Sequence, residues 1–217
     1  MDKELTYQPR CYAQDATAFV MCATGETVSF GQLESRANQG AHLLRKNQIN
    51  TGDHIAILME NRREFLEVCF AADRAGIYYT TISTHLTFDE ISYILSDCAA
   101  TMLIGSDAHL DTLKKLHKAH GNSCDFYLVG APCKGMKDWA GSIAAMPESP
   151  IPDEAQGLDM LYSSGTTGRP KGIKWPLDPI PPGSRTMLID LLASLFGYTK
   201  GTRYLSPAPL YLSLIHI

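Results

Sequence analysis

Tyr162-Ser163-Ser164-Gly165-Thr166-Thr167-Gly168-Arg169-Pro170-Lys171-Gly172 is the stretch on which the reading of this chain turns. It gathers three glycines, four aliphatic hydroxyls, a proline and a lysine into eleven residues. Glycine lets backbone turn through positive φ and approach a ligand closely. A loop turned in this way aims several N–H groups at one anion. Ser163, Ser164, Thr166 and Thr167 add hydroxyl donors, and Lys171 adds positive charge. Such a loop suits a polyphosphate far better than it suits an ordinary exposed turn. It is not a Walker loop, which needs a second glycine five residues after the first, followed by Lys and Ser/Thr. Five residues after Gly165 stands Pro170, and Gly172 follows Lys171.

Working outward, the preceding sequence alternates strand and helix signals. Ala18–Cys22 and Thr27–Phe30 read as two short strands joined by a hairpin turn. Ser29 and Gln32 have the spacing of a capping box, and Leu33, Ala37, Ala41 and Leu44 then repeat at helical spacing. Asn47 is expected to end that helix in a left-handed conformation. His54–Met59 is a continuous apolar run of the kind found in buried parallel strands. Asn61 is expected to cap a helix running to about Gly76, with Phe65, Val68, Cys69 and Ala72 on its buried face.

Tyr78–Ser83 is rich in strand formers, and Thr87 with Glu90 makes a second capping box ahead of Phe88, Ile91, Ile94 and Leu95. Thr101–Ile104 reads as a strand, Asp107–His120 as a helix and Phe126–Val129 as a strand. Residues 131–157 read as a connecting loop with one short helix. Asp159–Ser163 is the strand expected to deliver the glycine-rich loop. The alternation predicts an α/β fold with a largely parallel sheet and flanking helices. Ligands of such sheets sit beyond the carboxyl ends of the strands, where this loop would lie.

Composition narrows the function. A net charge of -4 and the lack of a basic stripe argue against a nucleic-acid partner. The N-terminal MDKELTYQPR has no apolar run, so no secretory signal is read there. Met187–Tyr198 is apolar but too short for a transmembrane segment. The six cysteines form no C-x-x-C pair and read as reduced thiols of a cytoplasmic protein. His109, His117 and His120 lack a recognisable set of further ligands and read as a solvated helix surface rather than a metal site. Trp175 and Tyr198 are expected to pack in the core.

The glycine-rich stretch resembles the phosphate loop of the adenylate-forming (AMP-binding) superfamily, Thr-Ser-Gly-Ser/Thr-Thr-Gly-x-Pro-Lys-Gly. The match runs from Ser164 to Gly172, with Ser163 in place of the leading threonine. Thr27–Leu33, Gly52–Glu64, Gly76–Tyr93 and Thr202–Tyr211 look like further segments of the same superfamily, and Leu205–Tyr211 favours its acyl-CoA synthetase branch.

The resemblance implies an acid–thiol ligase. A carboxylic acid attacks the α-phosphorus of ATP to give an acyl-adenylate and pyrophosphate, and coenzyme A then displaces AMP. It implies ATP phosphate contacts from Ser163, Ser164, Gly165, Thr166, Thr167, Gly168, Arg169, Pro170 and Lys171, with Mg²⁺ as partner. Thr166 and Thr167 are the first choices for hydroxyl contact. Lys171 either touches phosphate or pairs with an acidic residue to brace the loop. Oxidative luciferases and peptide-synthetase adenylation domains share the loop and remain alternatives, as does a non-catalytic phosphate-binding fragment.

Position 212 is Leu where the acyl-CoA branch carries a histidine, and Leu212–Ile217 departs from the superfamily pattern. The resemblance therefore implies that residues 1–211 are an incomplete N-terminal adenylation domain and 212–217 an aberrant tail. The C-terminal domain and its catalytic lysine have no counterpart, and the chain alone is expected to be inactive in adenylation.

Overall fold

The structure, a computed structural model, describes residues 8–163, 169–184, 187–197, 199 and 201–212. Residues 164–168 of the glycine-rich loop, Tyr198 and the tail from 213 onward lie outside the described residues.

The chain opens with an antiparallel hairpin, β1 (Thr17–Met21) with β2 (Glu26–Ser29). Helix α1 (Phe30–Lys46) follows at once, because Ser29 caps it. The Ser29 hydroxyl accepts from Gln32 N at 3.1 Å, and Gln32 Oε1 accepts from Ser29 N at 2.9 Å. The helix ends differently from expectation. Asn47 keeps an ordinary φ of -87°, and Gln48 takes the left-handed turn at φ 61°. Asn47 is spent on other bonds: its amide donates to Leu43 O at 2.8 Å, and its carbonyl accepts from Tyr127 Oη at 3.2 Å.

The centre is built from β3 (His54–Leu58), α2 (Arg63–Arg74), β4 (Tyr78–Thr81), α3 (Phe88–Asp97), β5 (Met102–Ser106), α4 (Leu110–His120) and β6 (Asp125–Val129). Two-residue strands β7 (Lys137–Asp138) and β8 (Leu158–Asp159) close the edges, with α5 (Trp139–Ala144) between them in sequence. The sheet has the order β7-β6-β5-β3-β4-β8, and every pairing in it is parallel.

The helices sort onto the two faces by the direction in which the chain travels. β3 to β4 steps one way, and α2 covers one face; β4 back to β5 and on to β6 steps the other way, and α3 and α4 cover the opposite face. Right-handed crossovers require that switch of face. The side chains show it residue by residue. Ile55, Ile57 and Met59 pack with α1, α2 and α5, whereas Ala56 and Leu58 pack with α3 and α4. Both faces of β3 are therefore sealed, which is why its sequence is continuously apolar rather than alternating.

Two expectations are corrected here. Asn61 is not the cap of α2, since Arg62 holds that position with no side-chain bond. Asn61 reaches across the sequence instead: its Oδ1 accepts from Leu210 N at 2.7 Å. Asp159–Ser163 is not one strand. It breaks at Met160 into β8 and β9 (Leu161–Ser163), and β9 leaves the sheet to pair antiparallel with β10 (Lys171–Ile173). Helix α6 (Met187–Phe196) then carries the chain on to a short helical turn at Leu210–Leu212.

Candidate functional site

The glycine-rich loop is the connection of the β9–β10 hairpin. Strand β8 runs beside β4, with Tyr78 opposite Leu158 and Tyr79 opposite Asp159. Met160 N donates to Tyr79 O at 3.0 Å, and its buried side chain joins the α3–α4 face of the core. Beyond it the chain turns off the sheet. Ser163 pairs with Lys171, Tyr162 with Gly172 and Leu161 with Ile173. Gly172 suits a close approach: a Cβ there would lie 2.5 Å from Met160 Cε and 2.9 Å from Tyr162 Cζ, and those side chains would have to shift. The glycine lets the Tyr162 ring lie against the hairpin backbone.

Ser163 and Lys171 thus face each other across the base of the loop. Both are exposed, Pro170 is half-buried and Arg169 is exposed. Among the described residues, Lys171 has no carboxylate partner. The structure therefore brings together Ser163, Arg169, Pro170 and Lys171 at the two ends of the loop, while Ser164, Gly165, Thr166, Thr167 and Gly168 lie outside the described residues.

Side chains from α3 hold both ends. Tyr162 Oη donates to Asp97 Oδ2 at 2.6 Å, and Tyr93 Oη donates to Asp97 Oδ1 at 3.2 Å. The Arg169 guanidinium stands over the Tyr93 ring, 5.5 Å from its centroid. Burial, and then the bond to Asp97, push the Tyr162 phenol well above its usual range, so it stays a hydrogen-bond donor. No motif marks Asp97 or Tyr93 in the sequence. Their one legible signal is the four-residue spacing that places them on one side of a helix.

Past β10 the chain is fastened to the amino-terminal end of the sheet. Tyr78 Oη donates to Trp175 O at 2.7 Å. Lys174 Nζ donates to His54 Nε2 at 2.9 Å and lies 4.3 Å from the Tyr78 ring centroid. Burial, and then the Lys174 charge, lower the His54 pKa to about 4, so its imidazole is neutral at pH 7. Trp175 itself points outward at 68% exposure, against the expectation of core packing.

At the opposite, carboxyl ends of β3 and β5 lies a second polar group. Arg62 Nη1 is 3.2 Å from Glu60 Oε1 and 3.7 Å from Asp107 Oδ1, and Arg62 Nε is 2.8 Å from Glu64 Oε2. Ser106 donates to Glu60, and His109 Nε2 lies 3.7 Å from Glu60 Oε2. These two strands flank the point where the chain reverses direction, the position at which such sheets form a crevice. The segment 208–211 is stitched beside it by the Asn61 bond and by Thr81 Oγ1 donating to Tyr211 O at 3.1 Å.

Among the described residues no His/Cys/Asp/Glu group has the arrangement of a metal site, and no helix is long and apolar enough to cross a membrane. His120 Nε2 lies 2.7 Å from Ser92 Oγ, and His117 packs edge-on against Phe126. All six cysteines are free; Cys69, Cys98 and Cys124 are buried, and burial pushes the Cys124 thiol up to about 12.

A parallel sheet with helices on both faces and a glycine-, serine- and threonine-rich loop at its margin define an α/β protein of the open-sheet class. The chain belongs to the AMP-binding enzyme family, whose model matches residues 5–217. It is 32% identical to feruloyl-CoA synthase of an Amycolatopsis species over 68% of this chain and 28% of that protein. It is 30% identical to a long-chain-fatty-acid–CoA ligase of Mycobacterium tuberculosis over 72% of this chain and 31% of that one. Among solved structures it resembles the anthranilate CoA ligase AuaEII in complex with anthranoyl-AMP, with a TM-score of 0.69 and 27% identity, covering 85% of this chain and 34% of that one. The chain spans about a third of the length of each of these proteins.

Proposed function

We propose that this chain is the ATP-phosphate-gripping part of an acid–thiol ligase, which activates a carboxylic acid as its adenylate for transfer to coenzyme A. The observation that carries the reading is the hairpin loop that opens at Ser163 and closes at Lys171, fixed at its base and bearing the family's phosphate-loop sequence. Its relatives are named for joining acids to coenzyme A, which supports a carboxylic acid and coenzyme A as partners.

Catalysis of this kind rests on positioning and charge neutralisation. Ser163, Ser164, Thr166 and Thr167 donate hydroxyls to the β- and γ-phosphates, and Gly165 and Gly168 let backbone N–H groups come close. Pro170 fixes φ where the loop closes. Arg169 and Lys171 are the loop's cations. Lys171 is exposed with no carboxylate partner among the described residues, which favours contact with phosphate over bracing. The hydroxyl-rich loop suits the shared ligation of a magnesium–phosphate complex, in which Mg²⁺ supplies charge neutralisation on the phosphate oxygens. The free cysteines, three of them buried, support the cytoplasm as the compartment.

The test is a graft. Residues 161–173 of this chain replace the matching segment of the Amycolatopsis feruloyl-CoA synthase, and feruloyl-CoA formation is followed. The grafted enzyme is expected to stay active, and Thr167→Ala within the graft to lower turnover by about a hundredfold, the scale of losing one preorganised donor. An active graft that is indifferent to Thr167→Ala would overturn the assignment.

A further inference from the structure

The geometry points to Asp97 as the residue that positions the phosphate loop, by holding both ends of its hairpin on helix α3. This rests on the functional reading of the loop given above. One carboxylate serves both ends. Asp97 Oδ2 accepts from Tyr162, which enters the loop, at 2.6 Å. Asp97 Oδ1 accepts from Tyr93 at 3.2 Å, and Tyr93 carries Arg169, which leaves the loop, on the face of its ring. Tyr93 and Asp97 are four residues apart and so lie one above the other on the helix.

The placement of Asp97 is otherwise unfavourable. It is the last residue of α3, whose final turn contains no basic residue. A carboxylate there faces the negative end of the helix dipole. Among the described residues no Lys or Arg pairs with it. The helix dipole therefore does not explain the residue; one phenol donor from the strand that enters the loop does, with a second from its own helix whose ring carries Arg169 of the loop exit. Gly172 adds to the same arrangement, because a Cβ there would press on the Tyr162 ring, 2.9 Å from Cζ, and displace it. Ordering these flanks before the ligand arrives lowers the entropy lost on binding, which is how preorganisation raises affinity.

The test uses Asp97→Asn, Tyr162→Phe and their combination in the whole chain, with two readouts. The first is amide hydrogen exchange of the hairpin, residues 161–163 and 171–173, compared with that of β3 and β5. The second is affinity for inorganic tripolyphosphate. Each single variant is expected to speed hairpin exchange about tenfold, as the loss of one charge-assisted hydrogen bond does. The β3 and β5 amides are expected to stay as in the parent, which shows that the fold is intact. The double variant is expected to add little to Asp97→Asn, because the bond that Tyr162→Phe deletes is one that Asp97→Asn already weakens. Tripolyphosphate affinity is expected to fall by about the same factor.

Unchanged hairpin exchange in Asp97→Asn and Tyr162→Phe would overturn the inference. So would faster exchange with undiminished affinity, which would leave Asp97 a fastener with no bearing on the ligand. If the parent chain binds no tripolyphosphate at all, the phosphate-loop reading itself falls. The exchange data would then still decide whether Asp97 holds the hairpin.

Discussion

The central sheet and the segment that begins at the β9–β10 hairpin are built on opposite terms. In the sheet, Ile55, Ile57, Phe65, Val68 and Ile104 are fully buried between layers, and each βα unit seals the next. After the hairpin, Trp175 is 68% exposed, Leu205 is 69% exposed, and Leu191, Leu195 and Phe196 of α6 also face outward. The first region draws its order from many neighbours. The second is held more sparsely, by bonds such as Tyr162 to Asp97, Tyr78 to Trp175 O and Asn61 to Leu210 N, with Tyr162, Leu177 and Tyr211 packing against the core. The lesson is that the segment beginning at the hairpin borrows order from the scaffold through a few polar contacts, each of which can be removed separately.

The largest expected effect tests that contrast directly. Phe65→Ala should lower the unfolding free energy by about 3–5 kcal/mol, the usual range for emptying a core aromatic site. Trp175→Ala should change it by less than about 0.5 kcal/mol, as for a surface substitution. Urea denaturation measures both. A cost for Trp175→Ala close to that of Phe65→Ala would break the contrast.

Arg74 comes next. Its guanidinium is fully buried and bonds Glu34 twice, at 2.9 and 3.0 Å, and Phe70 O at 3.2 Å. Burial alone would raise the Glu34 pKa, but the Arg74 bond and charge outweigh it and hold the carboxyl below its usual range. Stability from this carboxylate is present above its unfolded pKa and is lost as pH falls through the lower folded value. Arg74→Met leaves Glu34 without its main partner and is expected to cost about 3 kcal/mol at pH 7, again by urea denaturation. The cost should shrink in acid, where Glu34 is protonated in both folded and unfolded states.

A smaller effect probes the sequence-encoded start of α1. Ser29→Ala deletes a cap and should cost about 1 kcal/mol in the same measurement. The smallest concerns His54, which is partly solvated. Its folded pKa, lowered by burial and by Lys174 to about 4, lies below the ordinary 6.5. Between those values the unfolded chain binds the proton more readily, so stability falls as pH drops from about 6.5 to about 4. His54→Gln should flatten the melting temperature across that window and leave it unchanged above pH 7.

What could be read in the sequence follows the same division. Both capping boxes, Ser29 with Gln32 and Thr87 with Glu90, are present where their spacing places them, and β3 is the buried parallel strand its apolar run announces. These are local signals with local consequences. Asn61, Asn47 and Trp175 depart from their local signals because long-range bonds or exposure outweigh local preference: Asn61 serves Leu210, Asn47 serves Tyr127, and it is the backbone of Trp175 that is anchored. The break at Met160 has the same origin, since its side chain belongs to the α3 face while the strand beyond it pairs elsewhere. The glycine-rich loop is legible as a motif because its residues are consecutive in the sequence. Asp97 is not, because its meaning lies in two tyrosines that reach it from α3 and from β9.

The central claim is that the loop from Ser163 to Lys171 grips the phosphates of ATP. Calorimetric titration of MgATP into the chain and into Thr167→Ala tests it most directly. The account predicts saturable binding by the parent chain and an affinity at least tenfold weaker in the variant. Equal affinity in the two proteins, or no binding by the parent chain, would contradict it.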